Sequence, residues 1–140
     1  MKGQSSFELF ITLGIVFAFT VPVLFLIFSL TSSGYEQTSM AQADASARSL
    51  ADSINFVYSQ GPGAKRTILI NAPAATNEIR VGDGEVVFEL KTASGTFDAV
   101  STTFATIEPS SPVKNNAKKG LFRLLVENRD GKVRVRDPDE

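Results

Sequence analysis

The pattern of hydrophobic and polar residues begins with a long apolar segment. The segment from Leu9 to Leu30 carries no charge. Its residues are large and apolar or alanine, except for Thr12, Gly14, Thr20, Pro22 and Ser29. A helix rises about 1.5 Å per residue, so the segment would extend for roughly 33 Å. This is close to the roughly 30 Å of a bilayer core. The segment therefore predicts a membrane-spanning helix over residues 9–30.

A cleaved signal peptide and a buried soluble helix both fit this segment less well. A secretory signal peptide has an apolar region of about 7 to 15 residues before a small-residue cleavage site, and Leu30 to Ser33 matches such a site poorly. A fully buried helix of a soluble protein needs more core than the C-terminal region of about 75 residues supplies. Lys2 precedes the segment, and Glu36 is the next charge after it. The N-terminus is thus predicted to be cytoplasmic, with residues 31–140 outside.

Apolar residues continue at helical spacing beyond this segment. They form an amphipathic stripe of Ala43, Ala47, Leu50, Ala51, Ile54, Val57 and Tyr58. The polar residues expected on the opposite face are Asp44, Arg48, Asp52 and Asn55. The charged members are spaced for i,i+4 ion pairs. Gly61-Pro62-Gly63 ends the pattern, so one helix is predicted over residues 4–60 if Gly34 is only a weak point.

Further along the chain the period changes from 3.6 to 2, which predicts a β domain over residues 64–140. The predicted strands are Thr67–Asn71, Glu78–Val81, Glu85–Thr92, Leu121–Asn128 and Lys132–Arg136, with one long or two short strands over Phe97–Ile107. Gly82-Asp83-Gly84 and Arg129-Asp130-Gly131 are predicted hairpin turns. Residues 109–119 are a predicted loop.

The third of these strands has one apolar face, formed by Val86, Phe88 and Leu90. This face is available to cover the Ala-rich stripe of the helix. The predicted fold class is α+β: a long N-terminal helix followed by a small antiparallel β-sheet or β-sandwich of five to seven strands.

Composition excludes most enzyme chemistry. The chain has no Cys and no His, which rules out disulfides, Cys or His zinc ligands, Cys nucleophiles and Ser-His-Asp triads. Its net charge is −1, and the charges are concentrated after residue 64. We expect no enzymatic activity and no cofactor.

Charged clusters in the β region offer two further candidate sites. Hard-cation ligands could come from Asp83 with Glu85, or from Asp130, Asp137, Asp139 and Glu140. Neither set has EF-hand spacing, so ordinary turn acidity is preferred and no metal is predicted. Basic residues comprise the group Lys114, Lys118, Lys119 and Arg123 and the strand face of Lys132, Arg134 and Arg136. Nucleic acid would suit such charges, but interspersed acids and an outside location favour a solvated face.

The N-terminal motif is Lys2-Gly3-Gln4-Ser5-Ser6-Phe7-Glu8, with a single carboxylate just before the apolar segment. Glu8 gains from the positive end of the helix dipole, but unpaired burial would cost several kcal/mol. A carboxylate that reaches water at the membrane interface is one interpretation. The motif also resembles the type III signal sequence, Gln-x-Ser-x-Glu, of archaeal type IV pilins.

The resemblance implies that a prepilin peptidase cuts between Gly3 and Gln4 on the cytoplasmic side. Residues 1–3 would be the leader peptide, and the apolar helix would stay on the mature protein. Glu8 matches the family glutamate that neutralises the free amine of a neighbouring subunit. In this chain the new amine at Gln4 would lie about 6 Å along the helix from Glu8.

Three other residues of the apolar segment are candidates for helix assembly. Gly14 and Ala18 are four apart and would let another helix approach closely. Pro22 has no amide hydrogen, so the Ala18 carbonyl loses its helical partner. These residues complete the predicted assembly set with Gln4 and Glu8.

The resemblance implies a structural subunit of a surface filament, assembled as a homo-oligomer by a cytoplasmic ATPase and a membrane platform protein. The subunit would lie in the membrane before assembly and at the cell surface afterwards, with no nucleic-acid partner. The alternative is an uncut, single-pass membrane anchor whose β domain binds an envelope partner, such as an archaellum stator-like component.

Overall fold

The computed structural model describes residues 2–109 and 119–138, with side chains from Phe7 onward. One helix and six strands follow each other along the chain: α1 (Lys2–Ser59), β1 (Lys65–Ala72), β2 (Thr76–Gly82), β3 (Glu85–Thr92), β4 (Gly95–Thr102), β5 (Gly120–Arg129) and β6 (Lys132–Arg136). The predicted α+β class, with its long N-terminal helix and small antiparallel sheets, is confirmed.

The chain forms two compact units, Met1–Gln37 and Thr38–Glu140. Within the described residues, the first unit consists of the N-terminal part of α1 and includes Pro22. The second unit contains the rest of α1 and all six strands. A small domain of this kind needs apolar surface from both helix and strands to build a core.

The end of α1 follows from its glycines. The Gln60 amide donates to the Phe56 carbonyl at 3.2 Å, and the Gly61 amide donates to the Tyr58 carbonyl at 3.1 Å. Gly61 has a φ of 86°, a left-handed conformation that glycine adopts without a steric penalty and that closes many helices. The helix therefore stops at the predicted Gly-Pro-Gly sequence.

The six strands form two antiparallel three-stranded sheets with orders β1-β5-β6 and β2-β3-β4. Both predicted Asp-Gly hairpins are present. Asp83 and Gly84 have φ values of 52° and 79°, and Asp130 and Gly131 have 51° and 84°. Two successive residues with positive φ define the type I′ turn, which matches the twist of paired strands. Of the region predicted as one or two strands, Gly95–Thr102 is a single strand.

One hydrophobic core unites the helix stripe with the inner faces of both sheets. Leu50 and Ile54 of α1 are fully buried, as are Phe88 of β3 and Val126 of β5. The alanines of the stripe are also buried. The Ala-rich stripe and the apolar face of β3 thus belong to the same core, as the sequence predicts.

The polar face of this part of α1 differs from the sequence prediction. Arg48 pairs with Asp44 at 2.8 Å, whereas within the described residues no ion pair joins it to Asp52. Asn55 is half-buried. Its Oδ1 accepts hydrogen bonds from the Thr103 hydroxyl and, at 3.1 Å, from the Phe104 amide. These bonds attach the helix to the segment after β4.

Candidate assembly site on the N-terminal helix

The N-terminal motif lies within the first turns of α1. The backbone of Gly3 and Gln4 is helical, and Glu8 follows Gln4 by four residues. This spacing corresponds to about 6 Å along the axis and nearly one full turn. The Glu8 side chain is exposed, and its backbone carbonyl accepts a hydrogen bond of 2.8 Å from the Thr12 hydroxyl. The side chain is therefore accessible to a group from another molecule.

The apolar segment after Glu8 is uncovered. The large apolar side chains from Phe7 to Leu30 are 47–77% exposed. α1 is the one helix in the described residues long and apolar enough to cross a membrane, and its most apolar stretch is not buried at all. Large contiguous apolar surfaces of this kind are rare on soluble monomers and indicate contact with protein or lipid.

Small or imino residues recur every four positions on this segment, at Gly14, Ala18 and Pro22. Each step of four residues turns the helix by about 400°, so the three form a slowly drifting row on one face. A Cβ atom added to Gly14 would meet no atom within 4 Å. Nothing in the described part of the chain therefore requires glycine at this position, and its lack of a side chain leaves room for an external group.

Glu8 lies on a different face from Gly14, the first residue of this row. Six residues separate it from Gly14, which corresponds to a rotation of about 120° in an α-helix. Beside Pro22, an apolar depression is bordered by Val21, Leu24, Phe25 and Phe28. Ala18 and Pro22 lie about 80° and 40° from Glu8 in the same projection. The carboxylate is therefore well separated from Gly14, but the row turns toward it further along the helix.

The acidic residues considered as candidate hard-cation ligands do not form a cluster of three where they are described. No group of three or more carboxylates capable of holding a metal ion occurs among residues 2–109 and 119–138. Asp83 and Asp130 instead occupy the first position of the two hairpin turns. Asp139 and Glu140 lie outside the described residues.

The two basic groups predicted separately are partly joined by strand pairing. β5 lies between β1 and β6, which places Arg123, Arg134 and Arg136 on the same outer face. Lys65 of β1 joins them, because it pairs with Glu127 and Glu127 pairs with Arg134. The sequence does not predict the participation of Lys65 and Glu127, since no local signal shows that β1 and β5 are neighbours. Lys114 and Lys118 lie outside the described residues.

Glu127 is the one carboxylate among these strand cations, and it is fully buried. Its oxygens lie 3.4 Å from Lys65 Nζ, 2.9 Å from Arg129 Nε and 3.5 Å from Arg136 Nε. The N–H groups are not aimed at the carboxylate well enough to form hydrogen bonds. Charge attraction therefore dominates this cluster, and the cations cover the Glu127 carboxylate.

No protein-family model, curated protein or solved structure matches the chain. Its function must therefore be inferred from the helix, the motif and the β domain themselves.

Proposed function

We propose that the chain is the structural subunit of a surface filament of the archaeal type IV pilus kind. The observation that carries the proposal is the exposed apolar length of α1, preceded by the Gln4-x-Ser6-x-Glu8 motif. A prepilin peptidase would remove residues 1–3, and the helix would remain in the membrane until the subunit joins the filament.

The exposed apolar side chains would hold a subunit in the assembled filament against loss into water. Removing one such side chain from water stabilises by about 1.5–3 kcal/mol. Lipid already shields these side chains before assembly, so transfer into a bundle of helices gains little hydrophobic free energy. Work from an assembly ATPase and close helix packing would drive insertion. Loss of a subunit into water would then be strongly unfavourable.

Glu8 and the small-residue row have separate roles in this proposal. Glu8 accepts the amine that cleavage creates on Gln4 of a neighbouring subunit, which offsets the cost of burying both charges. Gly14 and Ala18, about 120° and 80° away from Glu8 around the helix, let a second neighbour pack closely. Since the two features face different directions, one subunit contacts several others, as a filament core requires.

Determination of the native N-terminus by mass spectrometry tests the processing step. We expect Gln4 as the first residue of the mature protein. Gly3→Val should block cleavage, because a bulky side chain would occupy the peptidase position next to the scissile bond, while Ser5→Ala serves as a nearby control. A retained Met1 in the wild-type protein would favour the uncut membrane anchor. Unprocessed Gly3→Val protein in assembled filaments would contradict the mechanism.

Glu8→Gln tests the assembly step separately. The substitution keeps size and removes charge, so cleavage should proceed while filament yield falls at least tenfold. Glu36→Gln, the next carboxylate along α1, is the matched control and should assemble normally. Filaments can be counted by electron microscopy of sheared cell-surface material. Unchanged yield for Glu8→Gln would remove the proposed role of the carboxylate.

A further inference from the structure

The outer faces of the two sheets carry opposite charge. In β1-β5-β6, residues that alternate with the buried Ile68, Leu124 and Val133 point away from the core. The charged residues there are Lys65, Arg123, Glu127, Arg129, Lys132, Arg134 and Arg136, six cations and one carboxylate. We call this the basic face. Its surplus is five positive charges, six minus one, and it is reduced where Glu108 lies 4.0 Å from Arg134. Lys65, Arg123, Arg129 and Lys132 are exposed, whereas Arg134 and Arg136 are half-buried.

The outer face of β2-β3-β4 has the opposite surplus. Its outward positions alternate with Ile79, Phe88 and Ala99, which are buried. The charged residues at those positions are Glu78, Arg80, Glu85, Glu89, Lys91 and Asp98, four carboxylates and two cations. We call this the acidic face. Arg80 is held by Glu89 at 3.8 Å and Asp98 at 3.7 Å, so the surplus of two negative charges remains at its margins.

The two faces also match in apolar shape. Leu69 and Leu121 on the basic face are 58% and 66% exposed, and they lie on paired strands one row apart. The acidic face contains a groove of about 380 Å³ whose lining includes Val87 and Val100, and its charged lining residues are Asp83, Glu85, Asp98 and Arg80. Two exposed leucines beside Arg123 thus correspond to a groove in which apolar side chains alternate with a surplus of carboxylates.

We infer that the basic face of one copy of this chain docks on the acidic face of a second copy. Contact between two basic faces would oppose uncompensated cations, and like charges at an interface disfavour the wrong pairing. A polyanion such as nucleic acid would satisfy the basic face but leave the acidic groove without a role. Because the two docking surfaces differ, the contact is heterologous and continues from copy to copy. This arrangement rests on the proposed filament and specifies how its β domains join.

Cysteine cross-linking tests the contact directly, because the chain has no cysteine of its own. The full-length chain would carry Leu121→Cys and Val100→Cys together, which preserves every charge on both faces. Treatment of filaments with a short thiol cross-linker should give a ladder of dimers, trimers and larger species. Each single-cysteine variant should give at least fivefold less product. Leu121→Cys combined with Asp52→Cys, on the exposed side of α1, is the matched control and should give no ladder.

Charge exchange in the double-cysteine chain provides the second measurement. Arg123→Glu and Glu85→Lys should each lower the ladder yield at least threefold, because each places like charges across the contact. The two together restore opposite charges and should return the yield to within twofold. Arg123→Glu with Asp52→Lys has the same net charge but should not recover. High salt should weaken the contact before cross-linking.

Several outcomes would overturn this contact. Filaments that depend on Glu8 but give no ladder would reject it and leave the proposed function standing. Dimers from Leu121→Cys alone would show a symmetric contact instead. Binding of anionic vesicles or DNA to the basic face without a ladder would assign that face to another ligand. If the chain forms no filament but gives the ladder in membranes, the contact stands and the filament is rejected.

Discussion

The two halves of α1 have the same backbone conformation and opposite surroundings. From Phe7 to Leu30 the side chains are large, apolar and exposed, whereas the stripe from Ala43 to Val57 is rich in alanine and fully covered by the β domain. From hydrophobicity alone, the more apolar segment would be expected to be the buried one. The difference teaches that burial inside one chain depends on a partner surface, and within the described residues no such surface covers the more apolar half.

The largest expected effect compares one leucine from each half. Leu50 is fully buried and Leu13 is 47% exposed. Leu50→Ala should destabilise the β domain by about 2–5 kcal/mol, through lost burial and a residual cavity. Leu13→Ala should leave the unfolding free energy within about 0.5 kcal/mol. Urea unfolding of the full-length protein in detergent measures both. Equal destabilisation would contradict the difference between the halves.

Asn55→Ala tests a polar position in the half of α1 that packs against the β domain. The substitution removes the acceptor of the Thr103 hydroxyl and the Phe104 amide. We expect a loss of about 1–3 kcal/mol, because hydrogen-bonding groups lose their partner at a half-buried site. Asn77→Ala is the control, since Asn77 is exposed and bonds to Glu89 at the surface. The same urea titration should show less than about 0.5 kcal/mol for the control.

Glu127→Gln tests the one fully buried carboxylate of the basic face. The amide cannot balance Lys65, Arg129 and Arg136, so we expect destabilisation of about 1–3 kcal/mol, reduced by the partial exposure of those cations. Glu108→Gln is the control, because Glu108 is 35% exposed and lies 4.0 Å from Arg134. Thermal unfolding at low and high salt should separate the two variants. A salt-independent loss in Glu127→Gln would contradict the dominance of charge attraction.

Gly14→Leu tests whether the exposed half of α1 contacts a neighbouring helix. No atom lies within 4 Å of the position of its Cβ, and Gly34 is equally open. Neither Gly14→Leu nor the control Gly34→Leu should therefore alter unfolding by more than about 0.5 kcal/mol. Filament yield should fall for Gly14→Leu alone, because the added side chain fills the space for a neighbouring helix. Loss of yield in both variants would show that the row of Gly14, Ala18 and Pro22 is not special.

The smallest effect belongs to the solvent side of the covered half. Asp44 and Arg48 form an i,i+4 pair in which the side chains are 41% and 70% exposed. Asp44→Ala should cost about 0.3–0.5 kcal/mol, which precise urea titration in low salt can resolve. The effect should vanish in 1 M salt. A loss of more than about 1 kcal/mol would mean that this face is covered as well.

Local patterns predict much of this fold. The apolar period identifies α1 and its buried stripe, and the two Asp-Gly turns identify hairpins, because each signal lies within a few consecutive residues. The pairing of β1 with β5 joins segments far apart in sequence and leaves no such signal. The burial of Glu127 is hidden for the same reason, since its cover comes from β1 and β6.

Part of the candidate site can likewise be predicted from local sequence, and part cannot. The spacing of Gln4, Glu8, Gly14 and Ala18 can be read from the sequence. Helical periodicity then gives the face of α1 on which each residue lies. Asn55 is half-buried, which the sequence does not reveal, because a helical period shows only which side is apolar. Its actual partners, Thr103 and Phe104, lie in a segment whose path depends on the whole domain.

The pairing of β1 with β5 also sets an order of events during synthesis. Lys65 pairs with Glu127, so β1 has no strand partner until some sixty further residues have emerged. The hairpin of β2 and β3 can close earlier, since its two strands are joined by a two-residue turn. Until β5 arrives, β1 presents unpaired backbone groups that promote aggregation. The domain is therefore completed late, and chains truncated before residue 120 should be rapidly degraded.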